Sequence, residues 1–139
     1  HDKINFKYVV MINPCLPFLK TQTIDQFFLK YLESDYDGMF GVISKKNYFW
    51  DSTGEMITEW TDGLAVMNTK FVDYTYEAAN CLYASKLELI KEGCWMGYAP
   101  YTKNNPVIFP IAEDECFDID YPWQFSMAEA YYKELKNAV

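Results

Sequence analysis

The order of three segments in the first 45 residues constrains the fold most. The run "KYVVMINP" (7–14) is apolar from Tyr8 to Ile12 and stops at Asn-Pro, which is typical of a strand buried on both faces of a parallel sheet. In "TQTIDQFFLKYLES" (21–34) the apolar residues fall on one helical face, and Thr23 with Gln26 predicts a capping box. "DGMFGVIS" (37–44) predicts a second strand. A strand, a helix and a strand make a βαβ unit, which indicates an α/β fold.

The remaining segments extend this pattern. "NYFWDSTGEMITEW" (47–60) predicts a hairpin that turns at "DSTGE". "SKLELIKEG" (85–93) predicts a short helix capped by Ser85 and ended by Gly93, and an amphipathic helix closes the chain from Pro122. Short strands are predicted at "NCLYAS" (80–85), "CWMGYAP" (94–100) and "PVIFPI" (106–111). Because the sequence shows no repeat or linker, we predict that residues 1–139 form one domain with a three-layer mixed sheet.

Composition excludes several classes of protein. The chain has 139 residues, of which 50% are hydrophobic and 19% aromatic, which is incompatible with a disordered chain. The net charge of −8 disfavours nucleic acid as a partner. No apolar run reaches the length of a membrane span, and no signal-peptide pattern is present. We therefore expect a cytoplasmic protein without a membrane partner.

Cysteine and basic residues add two expectations. The cysteines are scattered, none forms a CxxC pair, and the chain has one histidine, so a zinc site is not expected. Cysteines of this kind are typical of reduced, buried side chains. They are Cys15, Cys81, Cys94 and Cys116. Every basic side chain is a lysine, so a side-chain cation here binds an anion without the bidentate fork of arginine.

The stretch "FDIDYPWQF" contains two aspartates just before the closing helix. Asp120 lies two residues before Pro122, where an acidic N-cap stabilises a helix. Asp118 is not explained in this way. At the end of a strand, Asp118 and Asp120 would point to the same side, and two such carboxylates suit Mg²⁺ together with phosphate oxygens. The sequence alone leaves the cap and the metal site as equal alternatives.

Two further motifs carry polar side chains at predicted strand ends. In "INPCLPFLKT", Asn13 and Lys20 follow the first strand, where open α/β sheets bind ligands. In "EAANCLYAS", Asn80 and Tyr83 are polar groups on an otherwise apolar strand. Each motif has a purely structural alternative. The first motif would be a two-proline turn with a solvated lysine, and the second would be a half-buried tyrosine beside a strand-end asparagine. Lys46 belongs to the one adjacent basic pair in the chain.

Taken in order, these motifs resemble the C-terminal portion of the acylneuraminate cytidylyltransferases (the CMP-sialic acid synthetase family). "NPCLPFLKT" is similar to that family's P-x-x-P segment, "NCLYAS" to its asparagine-bearing strand, and "DIDYPWQFSMAEA" to its closing signature. The resemblance implies a fold of the nucleotide-diphosphosugar transferase type. It implies that Asp118 and Asp120 are catalytic and bind magnesium. It also implies a set of residues that bind the sugar acid. These are Asn13, Lys20, Lys46, Asn80 and Tyr83.

The chain departs from the family pattern at five positions. They are Cys15, Leu16, Lys20, Cys81 and Gln124. The glycine- and lysine-bearing loop that cradles CTP phosphates has no counterpart in the sequence, and the chain starts at His1 rather than at methionine. We therefore interpret the sequence as the C-terminal portion of a longer domain that lacks its N-terminal half.

The resemblance implies an activity. The complete protein would transfer CMP from CTP to a sugar acid of the sialic-acid type and release pyrophosphate, and the isolated chain would be inactive. A non-catalytic homologue that binds a sugar acid or a protein partner is an alternative, as is a nucleotidyltransferase for another sugar or alditol. The weakly patterned residues 60–78 are predicted to leave the sheet and to form a homodimer contact.

Overall fold

A computed structural model describes residues 5–34, 36–92 and 107–137. The predicted strand at 94–100, Cys94 and the helix stop at Gly93 lie outside these residues. Within them the chain forms four strands and three α-helices. The strands are β1 (Tyr8–Ile12), β2 (Gly38–Lys45), β3 (Thr75–Lys86) and β4 (Val107–Pro110), and the helices are α1 (Thr21–Glu33), α2 (Leu87–Lys91) and α3 (Pro122–Asn137). None of the described helices is long and apolar enough to cross a bilayer.

The four strands form one mixed sheet in the order β1-β3-β2-β4. β3 runs antiparallel to both β1 and β2, and β4 runs parallel to β2. β1, β2 and β4 therefore share one direction. The predicted βαβ unit is present, but β3 is inserted between its two strands. The α/β class with a mixed sheet is confirmed.

The prediction that β1 is buried on both faces is wrong. Its residues are half-buried, and Ile12 is exposed. Among the described residues β1 pairs on one side only, with β3, from Tyr8 opposite Lys86 to Ile12 opposite Leu82. A continuous apolar run does not distinguish an edge strand from a central one, because both carry β-branched residues.

Helix α1 packs on the sheet through two of its aromatic residues. Phe27 and Tyr31 are fully buried. The ring of Phe27 meets Phe109 of β4 edge-on at 5.4 Å, and the hydroxyl of Tyr31 donates to the carbonyl of Asp37 at 3.0 Å. Phe28 and Leu32, predicted on the same face, are more exposed. Fewer residues of α1 therefore face the core than the apolar pattern of the sequence predicts.

Two predicted helix caps are wrong because the side chains have other partners. Lys20 is the N-cap residue of α1, and the hydroxyl of Thr23 donates to Glu115. Ser85 is a buried residue of β3, and its hydroxyl donates to the carbonyl of Asp37. "NCLYAS" is accordingly the second part of a strand of 12 residues.

The long strand β3 contains a bulge opposite Gly41. Phe40 of β2 pairs with Tyr83 and Val42 pairs with Ala78, so Gly41 alone faces residues 79–82. A Cβ atom on Gly41 would lie 2.6 Å from Sγ of Cys81 and 2.7 Å from Cδ1 of Ile111. Glycine is therefore required for the approach of the two strands.

The hairpin between β2 and β3 is confirmed. Trp50 bridges Met56, and Oδ1 of Asp51 accepts from the N–H groups of Thr53 and Glu55 at 2.8 and 3.0 Å. Gly54 has a φ of 87°, which glycine adopts without steric cost. The following residues include the short 3₁₀ turn Thr69–Phe71 and no strand before Thr75, as expected for an excursion from the sheet.

Candidate functional site

Four of the predicted site residues meet beside the bulge. Nδ2 of Asn13 donates to the carbonyl of Asn80 at 3.1 Å and to Oδ2 of Asp118 at 3.3 Å. The hydroxyl of Tyr83 donates to Oδ1 of Asn80 at 2.9 Å. Asn13 lies just past the end of β1, where ligands of open α/β sheets bind. We call Asn13, Asn80, Tyr83 and Asp118 the polar cluster.

The bulge is what brings Asn80 into this cluster. Residues three apart on a regular strand point to opposite faces, yet Asn80 and Tyr83 are hydrogen-bonded. Asn80 has a φ of 51°, a left-handed conformation that asparagine tolerates better than most residues. Bulges of this kind redirect side chains beside functional sites.

Asp118 has an unused oxygen in the cluster. Its Oδ2 accepts from Asn13, whereas Oδ1 is buried without a hydrogen-bond partner. A buried acceptor without a partner is unfavourable by about 1–3 kcal/mol. The N–H of the next residue, Ile119, donates to the carbonyl of Cys15 at 3.1 Å. The Asp118 carboxylate is thus held by Asn13 through one oxygen, while its other oxygen is covered and makes no hydrogen bond.

The surroundings of Tyr83 favour its neutral form. Burial raises the pKa of its phenol, and the electrostatic effect of the neighbouring Cys81 and Asp118 raises it further. Tyr83 therefore remains a hydrogen-bond donor at neutral pH. Together with the two asparagine side chains it provides a neutral polar surface beside the Asp118 carboxylate.

The aspartates do not end a strand, so the geometric argument for a same-side pair is wrong. β4 ends at Pro110, the 3₁₀ turn Glu113–Cys116 follows, and Asp118 and Asp120 lie in an irregular segment. Asp120 is exposed.

Asp120 is also not the helix cap. The carbonyl of Tyr121 accepts from the N–H of Gln124 at 3.0 Å, which makes Tyr121 the cap residue of α3. Oε1 of Gln124 in turn accepts from the N–H groups of Asp120 and Tyr121 at 2.7 Å each, as in a capping box.

Lys20 contacts a buried carboxylate rather than the polar cluster. Its Nζ lies 3.0 Å from Oε1 of Glu115, and its backbone N–H and the hydroxyl of Thr23 donate to Oε2. Although burial raises the pKa of Glu115, these hydrogen bonds and the lysine charge lower it below its usual value. Lys20 still exposes 59% of its side chain. Glu115 thereby ties the segment before Asp118 to the start of α1.

Lys46 lies in another part of the chain. Its Nζ is 4.8 Å from the centre of the Tyr74 ring and 3.5 Å from the carbonyl of Lys70. These contacts belong to the excursion that follows the hairpin. The contacts of Lys46 and Lys20 therefore lie outside the polar cluster.

The structure adds residues that sequence reasoning did not assign to the site. Glu115 leaves no local signal, because its partners lie 92 and 95 residues away. Gly41 does leave one, since a glycine inside an apolar strand indicates a bulge or a close backbone approach. Gln124 follows the cap residue at the spacing of a capping box.

Cys15 is exposed rather than buried as predicted, whereas Cys81 is buried and Cys116 is half-buried, and all three are free thiols.

The arrangement of strands and helices is also found in a solved structure. The structure is similar to that of 4-diphosphocytidyl-2C-methyl-D-erythritol synthase from Anaerococcus prevotii, with a TM-score of 0.57 and 12% sequence identity. The similarity covers 91% of this chain and 59% of that one. At this identity the likeness concerns the fold. Comparison of the sequence with protein-family models and with curated proteins finds no match.

Proposed function

We propose that this chain supplies the acceptor-binding and metal-binding part of a cytoplasmic, CTP-dependent cytidylyltransferase. The observation that carries the proposal is the polar cluster, in which a fixed carboxylate with one unpaired buried oxygen lies beside two amides and a phenol. The fold is similar to that of a protein whose name contains a diphosphocytidyl group, which supports a cytidine nucleotide as the substrate. The sequence resemblance supports a sugar acid as the acceptor.

The proposed reaction is a phosphoryl substitution. A hydroxyl of the acceptor attacks the α-phosphorus of CTP, a new P–O bond forms, and the bond to the β-phosphate oxygen breaks. Pyrophosphate leaves, and the hydroxyl proton passes to a base. Enzymes accelerate such reactions chiefly by positioning and by stabilising charge on the phosphates.

The residues fit a magnesium ion of the kind that also binds substrate phosphates. Mg²⁺ uses oxygen ligands and is held by one or two carboxylates, with phosphates and water completing its shell. Asp118 has an unpaired Oδ1, which its side chain would have to turn outward to reach the ion, and Asp120 offers an exposed carboxylate two residues away. No group of three or more metal-ligating side chains occurs in the described part of the chain. The bound ion would offset phosphate charge and favour loss of the hydroxyl proton.

The neutral side chains of the cluster fit a polyhydroxylated acceptor. Asn13, Asn80 and Tyr83 provide amide and phenol groups that exchange hydrogen bonds with sugar hydroxyls. In the proposal Lys20, which remains more than half exposed, and Lys46 attract the acceptor carboxylate. Their own contacts lie outside the cluster, so this step requires their side chains to reorient.

The proposal predicts that the chain alone binds CTP weakly. The sequence has no phosphate-binding loop and carries a net charge of −8, so a nucleotide triphosphate meets repulsion without backbone donors at a helix N-terminus. We expect a dissociation constant above about 1 mM and no pyrophosphate release from CTP with a sugar acid. Calorimetry and a pyrophosphate assay measure both quantities.

A matched experiment distinguishes the alternatives. A version that includes a segment bearing the phosphate-binding loop should bind CTP and release pyrophosphate. Tight, magnesium-dependent CTP binding by the 139-residue chain would contradict the proposal. Binding of a sugar acid without turnover, even in the longer version, would instead support the non-catalytic alternative.

We also propose a homodimer that forms through the excursion, which in the structure covers residues 60–74 rather than the predicted 60–78, because β3 begins at Thr75. Several of its large apolar side chains are exposed, among them Val66 at 70%, Met67 at 59% and Phe71 at 57%. Apolar surface of this kind favours a protein partner. Light scattering should give the mass of a dimer, and Val66→Glu with Met67→Glu should give a monomer. A monomeric mass for the unaltered chain at high concentration would refute the dimer.

A further inference from the structure

An aromatic groove lies between α3 and the 3₁₀ turn that precedes Asp118. It has a volume of about 480 Å³, and its walls are almost wholly apolar. The apolar side chains that line it are Phe18, Phe117, Met127, Ala128 and Tyr131. No residue of the polar cluster lines it, so it is separate from the proposed acceptor site.

Three rings form a continuous wall in this groove. Phe18 meets Tyr131 edge-on at 4.9 Å with an interplanar angle of 87°, and it lies 6.1 Å from Phe117 at 49°. Rings inclined to one another present faces as well as edges. Because the face of an aromatic ring carries negative electrostatic potential, it attracts cations.

Two acidic residues border the same groove. Glu113 forms an ion pair with Lys45. Asp114 is 3.9 Å from Nζ of Lys20, but that ammonium makes its shorter contact, 3.0 Å, with Glu115. The Asp114 side chain remains 57% exposed. Its charge therefore lies close to the groove and favours a cation there over an anion.

The geometry points to a ligand that carries a quaternary ammonium group, and we propose that the aromatic groove binds one. A primary ammonium is strongly hydrated and needs several acceptors to replace its water, which these apolar walls do not offer. A trimethylammonium group has no N–H donors, packs its methyl groups against rings and retains its charge. Aromatic walls beside a carboxylate are complementary to that chemistry.

The test compares ligands of equal shape and different charge. Choline and its neutral isostere 3,3-dimethylbutan-1-ol are titrated into the chain, and amide shifts in NMR spectra give affinity and location. We expect choline to bind about ten-fold more tightly, with the shifts clustered around Phe117 and Tyr131. Ethanolamine should bind more weakly than choline.

Variants locate the interaction. Tyr131→Leu keeps the wall apolar but removes a ring, and Asp114→Asn keeps the shape but removes a charge, so each should weaken choline several-fold without altering the isostere. Phe125→Leu, on the same helix but outside the groove lining, is the matched control and should bind like the original chain. Circular dichroism confirms that each variant is folded.

Several outcomes would overturn the proposal. Equal affinity for choline and its isostere would show a merely apolar surface. Absence of binding by either would show that no small-molecule site exists there. If Phe125→Leu weakened choline binding as much as the groove variants do, the ligand would bind elsewhere. If choline binding were lost only at high protein concentration, a second copy of the chain would cover the groove.

Discussion

Replacement of Asp118 by asparagine is expected to abolish the stabilisation of the chain by magnesium. The variant keeps the size and the Asn13 contact of Asp118 but removes the charge that would bind the ion. Magnesium at ten times its dissociation constant should stabilise the original chain by about 1.4 kcal/mol and Asp118→Asn by close to nothing. Thermal unfolding with and without magnesium measures this difference.

In a longer version that bears a phosphate-binding loop, the proposed function predicts that the same substitution nearly eliminates activity. Stabilisation of phosphate charge by a metal lowers the barrier by several kcal/mol, so its loss should reduce turnover about a thousand-fold. Without magnesium, Asp118→Asn should be no less stable than the original chain, because the amide oxygen keeps the hydrogen bond from Asn13 and the substitution removes the charge of a partly buried carboxylate.

Asp25→Asn is the matched control, since Asp25 is an exposed aspartate of α1. It should respond to magnesium as the original chain does. If Asp118→Asn unfolds while the original chain shows no response to magnesium, the carboxylate has a structural role and the metal site does not exist.

Replacement of Gly41 by alanine is expected to have the largest effect on stability. The new Cβ would lie 2.6 Å from Sγ of Cys81, a fully buried side chain. Its other close neighbour, Cδ1 of Ile111, is the end of a longer side chain and can rotate away. Overpacking of this kind should lower the free energy of unfolding by about 1–3 kcal/mol, which urea denaturation measures.

A double-mutant cycle attributes the cost to one contact. Cys81→Ala removes the sulfur, so Gly41→Ala should be less destabilising in that background, with a coupling energy of about 1 kcal/mol. Additive effects would mean that the strand spacing, rather than this sulfur, sets the requirement for glycine. Unchanged stability in Gly41→Ala would contradict the close approach altogether.

Elements whose signal is local could be predicted from the sequence. The 3.6-residue apolar pattern gave α1, which packs through Phe27 and Tyr31. The "DSTGE" turn was correct because Asp51 and Gly54 meet the backbone requirements of the turn themselves. Pro122 marked the first residue of α3, since its fixed φ suits that position and its missing N–H costs nothing there.

Side chains with distant partners could not be assigned in this way. Thr23 fits a capping box with Gln26, yet its hydroxyl bonds Glu115, 92 residues away. A buried carboxylate needs donors, and Thr23 and Lys20 provide them. The sequence pattern of a capping box does not show that a distant carboxylate will accept the hydrogen bond of the threonine hydroxyl.

The sequence by itself determined the residue types of the site and most of the elements that carry them. Only the tertiary structure decided that Asn13 contacts Asp118 across 105 residues, and that β3 lies between β1 and β2. It also set Asn80 in a left-handed conformation opposite Gly41, where Tyr83 can reach it. The physical reason is that propensity and periodicity act over a few residues, whereas strand order and the bulge depend on packing of the whole sheet.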